Sequence, residues 1–252
     1  MKGLILVFVM LMWSGYGRAQ ELRTGNYPDG SLRFKGYFKD GKPSGEMTHY
    51  FPSGKIKAQM NHRGDTADVV LYHLETDFTS AGRYVNRKKE GKWTYRKGGR
   101  IVAEEMYGGD RLDGQAVFYT AGGEVLEQKQ WKDGTPEGEW KLFWGEGKLR
   151  LEACFKAGKL EGPVKSYSRE GILQTEGTYR NDLKEGEWLF FDAAGKESRK
   201  LVYHKGLPEN AGQLELEESR RLDSLVSTGK KIPDPAVFAD DPEAYMKITG
   251  ME

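Results

Sequence analysis

Four histidines and one cysteine are the residues of this sequence that could bind a metal or act as a nucleophile. His49, His62, His73 and His204 stand far apart in the chain and show no metal-ligand spacing. Cys154 is the only cysteine, so it can form neither an intrachain disulfide nor a cysteine-based metal site. It lies within the apolar alternation "LRLEACF", which indicates a packing role. We therefore expect no metal site and no catalytic thiol.

Carboxylates recur along the chain at a regular spacing, and their chemistry depends on how far apart the repeats place them. The members of this row are Glu90, Asp113, Glu137, Glu161 and Glu185. In stacked hairpins, neighbouring members would lie about 10 Å apart, too far to share a Ca²⁺ ion with ligands at about 2.4 Å. We expect solvated charges at a turn edge. Since no Ser/His/Asp order and no recurring acid pair is present, we predict that the protein is not an enzyme and uses no cofactor.

The Gly145-x-Gly147 sequence resembles part of a phosphate-binding loop, but its context differs. It precedes a strand pattern, whereas phosphate loops open a helix. The 252 residues include 39 basic and 38 acidic side chains, a net charge of +1. This balance gives no electrostatic reason to expect a nucleic-acid partner. Only 37% of the residues are hydrophobic and 33 are glycine, which favours a thin, extended structure over a deep core.

The first residues have the composition of an export signal. Lys2 precedes an apolar run from Gly3 to Trp13, which is too short to span a bilayer comfortably. Gly17 and Ala19 then supply the small-x-small pattern of a signal peptidase site, so cleavage is predicted after Ala19. The alternative is a retained membrane anchor. We take residues 1–19 as a signal peptide and expect a periplasmic or extracellular protein.

The elements that must position these residues are repeats. One glycine position recurs with a constant period and has Asp68 in its second copy: Gly45, Asp68, Gly91, Gly114, Gly138, Gly162 and Gly186. A second glycine position recurs in phase with it: Gly30, Gly54, Gly99, Gly123, Gly147, Gly171 and Gly195. An aromatic row keeps the same period: Phe38, His62, Tyr84, Tyr107, Trp131, Phe155, Tyr179 and Tyr203. Three rows in phase over about 180 residues define a repeat protein.

Each repeat contains two turns and two strands. Two-residue turns such as Asp133-Gly134 follow the aromatic row, and longer turns such as "FPSG" at 51–54 contain the second glycine. Between them, "KLRLEACF" alternates apolar and charged residues, as a strand does. The predicted fold is therefore an all-β repeat, an elongated single twisted antiparallel sheet of stacked β-hairpins. Residues 20–206 would form seven to eight units extending about 70–80 Å.

The repeated pattern resembles the bacterial variant of MORN repeats. It reads Tyr/Phe-x-x-Gly…Gly-x-Trp-x-x-Tyr/Phe, and "YRNDLKEGEWLFF" and "WKDGTPEGEWKLFW" are its best instances. The resemblance covers residues 27 to about 206. The unit at 65–80 departs from it, with Asp68 at the glycine position and no clear second glycine. Such a departure indicates either a functional insertion or decay of the repeat.

The tail changes to helical spacing. Residues 213–226, "QLELEESRRLDSLV", predict an amphipathic helix within 207–229 that ends at Gly229 and caps the last strand. Residues 230–252 contain three prolines and are expected to form an extended arm.

Aromatic residues occur at positions of both strand parities, so a single sheet would carry them on both faces. The simpler interpretation is that most stack as a thin core between neighbouring hairpins. Those left exposed are the candidate partner-binding residues. They are Trp93, Trp140, Trp144, Trp188, Tyr119 and Tyr167.

The leading functional hypothesis is an exported, non-enzymatic repeat scaffold that binds another protein through a sheet face or turn edge. The resemblance implies an alternative, because many bacterial proteins with these repeats are described as antitoxins or immunity proteins that neutralise a toxin. The resemblance also implies membrane association. The near-neutral charge of the chain and its lack of a polybasic patch give that hypothesis weak support. A further hypothesis is a binder or hydrolase of cell-wall glycan that uses the aromatic rows as sugar platforms.

Overall fold

The computed structural model describes residues 19–209 and 213–230, which form one 18-stranded antiparallel sheet and a helix. The strands are β1 (Glu21–Asn26), β2 (Leu32–Lys39), β3 (Lys42–Tyr50), β4 (Ile56–Arg63), β5 (Thr66–Tyr72), β6 (Phe78–Val85), β7 (Lys88–Lys97), β8 (Arg100–Gly108), β9 (Arg111–Tyr119), β10 (Val125–Lys132), β11 (Thr135–Phe143), β12 (Leu149–Lys156), β13 (Lys159–Leu160), β14 (Gly162–Tyr167), β15 (Leu173–Arg180), β16 (Leu183–Phe191), β17 (Glu197–His204) and β18 (Leu207–Pro208). The helix is α1 (Gln213–Lys230).

The sheet is a continuous meander, because each strand pairs antiparallel with the strand before and after it. β13 and β14 are the two parts of one interrupted strand, and both pair with β12. The predicted all-β fold of stacked hairpins is confirmed. The predicted signal peptide lies outside the described residues except for Ala19, and so does the predicted arm except for Lys230.

Two kinds of turn give the sheet two different edges. The tight turns follow the prediction: Asp133 and Gly134 have φ angles of 50° and 80°, which glycine, Asn and Asp adopt at least cost. We call this side of the sheet the tight-turn edge. The opposite side is the long-turn edge, which carries the turns that contain Gly54, Gly123, Gly147 and Gly171. In each of these four turns the glycine N–H donates to the carbonyl three residues earlier.

The first glycine row marks β-bulges, a feature that the sequence pattern did not reveal. The pairing shifts register opposite Gly45, Gly91, Gly114, Gly138 and Gly186, which all have positive φ angles. Asp68 stands at this position in β5, where both ladders run without a shift. Its carboxylate instead pairs with Arg83 at 2.7 Å. The unit at 65–80 is therefore a regular hairpin that lacks the bulge and the glycine of the long turn.

One face of the sheet is the core, and we call it the inner face. On this face, the residue two positions after the first-row glycine is large in one repeat and small in the next. In chain order these residues are Trp93, Ala116, Trp140, Val164 and Trp188. A small residue in every second unit leaves room for the indole rings, which spread over the neighbouring strands. The repeat in three dimensions is therefore two hairpins long.

The inner face contains two hydrophobic clusters. The first runs from Ala67 to Phe118 and is formed by β5 to β9. The second runs from Trp140 to Tyr203 and also includes Leu222 and Val226 of α1. Between the clusters, β10 places Glu127 and Lys129 on the same face. Charged side chains thus interrupt the apolar core near the middle of the chain.

The helix is confirmed, and it lies on the inner face over the C-terminal strands. Leu222 and Val226 are buried against the second cluster, and Lys184 of β16 donates a 2.6 Å hydrogen bond to Ser219. The helix packs there because its apolar side chains are buried against that cluster. Among the described residues, no helix is long and apolar enough to cross a membrane.

Candidate functional site

The candidate residues Trp93, Trp140 and Trp188 do not form a partner surface, contrary to the prediction. Each side chain is 0% exposed and belongs to the inner-face core. Neighbouring aromatic rings and lysines cover the indoles, and a sealed side chain cannot contact a partner. The simpler interpretation of these three residues, as a stacked core, is the one that the structure supports.

Close approach to glycine explains how these indoles are sealed. A Cβ added at Gly177 would lie 2.2 Å from the Trp188 ring, and one at Gly82 would lie 2.4 Å from Trp93. Each of these two indoles therefore lies flat over the backbone of the preceding strand. Aromatic rings also cover the sides of the indoles. The ring centroids of Tyr179 and Trp188 lie 5.3 Å apart in an edge-to-face arrangement.

Each buried tryptophan also contacts a lysine, which the sequence analysis missed. Lys89 Nζ lies 4.6 Å from the Trp93 ring centroid, Lys129 Nζ 5.2 Å from Trp140 and Lys184 Nζ 5.1 Å from Trp188. Cation–π attraction is strongest where water is excluded, so these contacts offset part of the cost of burying the charge. Burial lowers the pKa of Lys184, and Asp223 of the helix opposes that shift. A signal was present: Lys89 and Lys184 both begin the sequence Lys-Glu-Gly-x-Trp.

The buried acids of the inner face are held by neutral donors and lysine. Glu127 is 0% exposed and accepts hydrogen bonds at 2.7 Å from Trp140 Nε1 and 2.8 Å from Lys129. Burial raises the pKa of the Glu127 carboxyl group, and Lys129 opposes that rise. Tyr107 donates a 2.7 Å hydrogen bond to Glu105, which is 1% exposed. These acids are parts of the core, out of reach of a substrate.

The remaining candidates lie at the long-turn edge and stay half-exposed. Trp144 follows β11 and donates its indole N–H to the Tyr167 carbonyl at 3.2 Å. The guanidinium groups of Arg150 and Arg169 lie 4.7 Å and 5.2 Å from its ring centroid. Trp144 and Tyr167 are thus brought together, although they belong to successive repeats of the sequence.

Tyr119 and Tyr167 occupy equivalent positions at the ends of their strands and have equivalent partners. The Tyr119 hydroxyl donates to Glu104 at 3.1 Å, and the Tyr167 hydroxyl donates to Glu152 at 2.8 Å. Tyr119 also lines a hollow of about 310 Å³ at the long-turn edge, together with Asp77, Lys97, Gly98, Arg100, Val102 and Ala121. This hollow is mixed in charge and open to solvent.

We expect the stability of the protein to fall between pH 10 and pH 12, partly because of Tyr167. Burial, and next the hydrogen bond to Glu152, raise the pKa of Tyr167 from 10.0 to about 12. The unfolded chain therefore loses this proton at a lower pH than the folded chain. The contribution of the Tyr167 hydroxyl to the free energy of unfolding is lost as pH rises through that window. Melting temperatures of wild-type and Tyr167→Phe protein from pH 9 to 12 would measure it. An equally steep loss in the variant would contradict this assignment.

Four of the five recurring acids link successive hairpins, a role that goes beyond the solvated turn-edge charges expected from the sequence. Glu90, Glu137, Glu161 and Glu185 each accept a hydrogen bond from a backbone N–H in the next tight turn. The donors, in the same order, are Gly109 at 3.0 Å, Ala157 at 2.6 Å, Asn181 at 2.8 Å and Lys205 at 2.9 Å. Charge-assisted bonds of this kind are about twice as strong as neutral ones. The row is structural.

The cysteine and histidines have packing environments. Cys154 is half-buried on the outer face and not in the core, and burial with Glu139 and Glu152 raises the pKa of its thiol. A raised pKa disfavours the reactive thiolate. His62 is half-buried, and burial lowers the pKa of its imidazole. Within residues 19–209 and the described side chains of α1, no three His, Cys, Asp or Glu residues converge as metal ligands.

The fold and this site define a class of protein: an all-β hairpin-repeat scaffold whose accessible aromatic residues lie along one turn edge. The model of the MORN repeat variant family matches residues 43–63, 136–157 and 160–181. Each match is one hairpin across the long-turn edge, so the resemblance found in the sequence is confirmed. Over these three segments the chain is similar to MORN repeat variants. No curated protein matches it.

Proposed function

We propose that this protein is an exported, non-enzymatic repeat scaffold that binds a protein partner along its long-turn edge. The observation that carries the proposal is the half-exposed Trp144, which contacts two arginines at that edge and bonds to the backbone of Tyr167. Tryptophan, tyrosine and arginine are the residue types that contribute most to protein–protein binding energy. The hollow beside Tyr119 extends the same edge toward the N-terminus.

Burial of the tryptophan side chains weakens the hypothesis that the protein binds cell-wall glycan. A glycan platform needs accessible rings, but three of the candidate tryptophans are sealed in the core. The non-enzymatic part of the proposal has similar support, because the buried acids Glu105 and Glu127 are both engaged by hydrogen-bond donors. Export is supported by the composition of residues 1–19. If export follows the proposed cleavage, protein recovered from the envelope fraction will begin at Gln20, which N-terminal sequencing tests.

The binding proposal is tested by partner capture with paired variants. The bait is residues 20–252, incubated with the envelope fraction of the parent organism and analysed by mass spectrometry. We expect one stoichiometric partner, retained by Leu183→Ala and lost with Trp144→Ala. Leu183 is 46% exposed on the tight-turn edge, so it is a matched apolar control. Equal capture by both variants would contradict use of the long-turn edge. A captured toxin would identify the protein as an immunity protein.

A further inference from the structure

Two arginines contact the Trp144 ring, and a third, Arg221, comes close enough to Arg150 to add to the lowering of its pKa by burial. Arg150 belongs to β12, Arg169 to the turn after β14 and Arg221 to α1. Arg150 and Arg169 both stack on the Trp144 ring. Arg221 lines a cavity of about 60 Å³ between the helix and the sheet, with Ser166, Gln174 and Thr175 among its other lining residues. The cluster therefore joins the long-turn edge to a small polar cavity. We call it the arginine cluster.

The arginine cluster has no direct carboxylate partner among the described residues. No ion pair joins any of its three members to a carboxylate within the part of the chain that the structure describes. The Arg150 Nε atom is buried and has no hydrogen-bond partner there. Burial lowers the pKa of Arg150, and Arg221 and Arg169 lower it further. The nearby Glu170 is held by the Ser168 hydroxyl, the first cause of its lowered pKa, and the charges of Lys148 and Arg169 lower that pKa as well.

A half-buried arginine beside two others is costly, since like charges repel and the desolvated guanidinium donors remain unsatisfied. Other arginines of this chain do have carboxylate partners: Arg83 holds Asp68 at 2.7 Å, and Arg111 holds Asp133 at 2.9 Å. The cation–π contact with Trp144 fixes the position of the guanidinium groups but supplies no acceptor for their N–H donors. An oxyanion is the kind of group that accepts hydrogen bonds from such donors.

We propose that the arginine cluster binds a carboxylate of an acidic peptide segment, and that this is how the protein partner docks. The inference rests on the proposed function, because it specifies the chemistry of the partner at the same edge. The guanidinium fork matches a carboxylate in a bidentate geometry, and Trp144 offers an apolar surface to the adjoining side chain. A long polyanion fits less well, because the surrounding edge also carries Glu146 and Glu170.

The test uses purified protein and defined probes. One peptide alternates four glutamates with glycines, and the matched peptide has glutamine at each glutamate. Inorganic phosphate is the third probe. Binding is followed by the NMR resonances of the Trp144 indole and the Arg150 Nε–H, assigned with Trp144→Phe and Arg150→Met. We expect the glutamate peptide alone to shift both resonances, with an affinity that falls as salt is added.

Variants separate the site from general charge effects. Arg150→Met and Arg169→Met should each weaken glutamate-peptide binding at least tenfold. Arg169 is exposed, so its replacement leaves folding intact, and an unchanged melting temperature verifies this. Arg111→Met, at the tight-turn edge, should bind as wild type does. Equal binding of the glutamine peptide, tighter binding of phosphate or full binding by Arg169→Met would overturn the proposal. Partner capture that fails while the glutamate peptide binds would instead count against the proposed function.

Discussion

Replacing Trp140 with alanine is expected to lower the free energy of unfolding by about 4 kcal/mol, the largest single-residue effect that this structure predicts. The indole is 0% exposed and packs 5.4 Å from the Phe155 ring. Its N–H also donates to the buried Glu127, which would lose one of its two donors. Urea denaturation followed by circular dichroism measures the change.

Trp144→Ala is the matched control, because the same residue type stands four positions away and is half-exposed. Its cost should be about 1 kcal/mol. Trp140→Phe keeps most of the packing and removes the hydrogen bond, so it should cost about 2 kcal/mol, the penalty of an unsatisfied buried acceptor. If Trp140→Ala and Trp144→Ala destabilised the protein equally, the division into core and edge tryptophans would be wrong.

Gly177→Ala is expected to cost about 3 kcal/mol, the upper part of the usual range for an overpacked core. The added methyl group would lie 2.2 Å from the Trp188 ring, which is fully buried and cannot move aside. Gly177 is not among the positive-φ glycines, so the cost comes from the contact and not from the backbone. Thermal and urea unfolding both measure it.

The contact is isolated by a double-mutant cycle with Trp188→Leu. In that background, Gly177→Ala should cost less than about 1 kcal/mol, because the smaller side chain leaves space for the methyl group. A cost that is the same in both backgrounds would show that the ring does not determine the requirement for glycine at position 177.

Local rules explain why so much of the fold could be predicted from the sequence. Asp133-Gly134 and its equivalents define tight turns, and the alternation of "KLRLEACF" defines a strand, so the meander follows from short-range chemistry. The helix was also predictable, from residue 213 to Gly229 against the observed end at Lys230. Neither rule requires knowledge of residues distant in sequence.

The candidate site depended on properties that are not local. Strand parity placed aromatic residues on both faces, but contacts with neighbouring strands decide which of them are covered, so Trp140 and Trp144 could not be distinguished. The placement of α1 on the inner face could not be predicted either, because it depends on contacts between residues distant in sequence. For that reason the approach of Arg221 and Arg169 to Arg150 could not be predicted. Lys89 and Lys184 were accessible to sequence reasoning, because each stands four positions before a tryptophan on the same strand.

The alternation of large and small residues on the inner face limits how many hairpins such a chain can lose or gain at once. Loss of one hairpin would bring two tryptophan positions into adjacent units, as between Trp93 and Trp140 if the Ala116 unit were deleted. Two indoles would then compete for the space that one small residue now provides. Loss or gain of two hairpins leaves the alternation intact. Duplication and deletion in the history of this sequence are therefore expected to have proceeded in steps of two hairpins, the spacing from Trp93 to Trp140 and from Trp140 to Trp188.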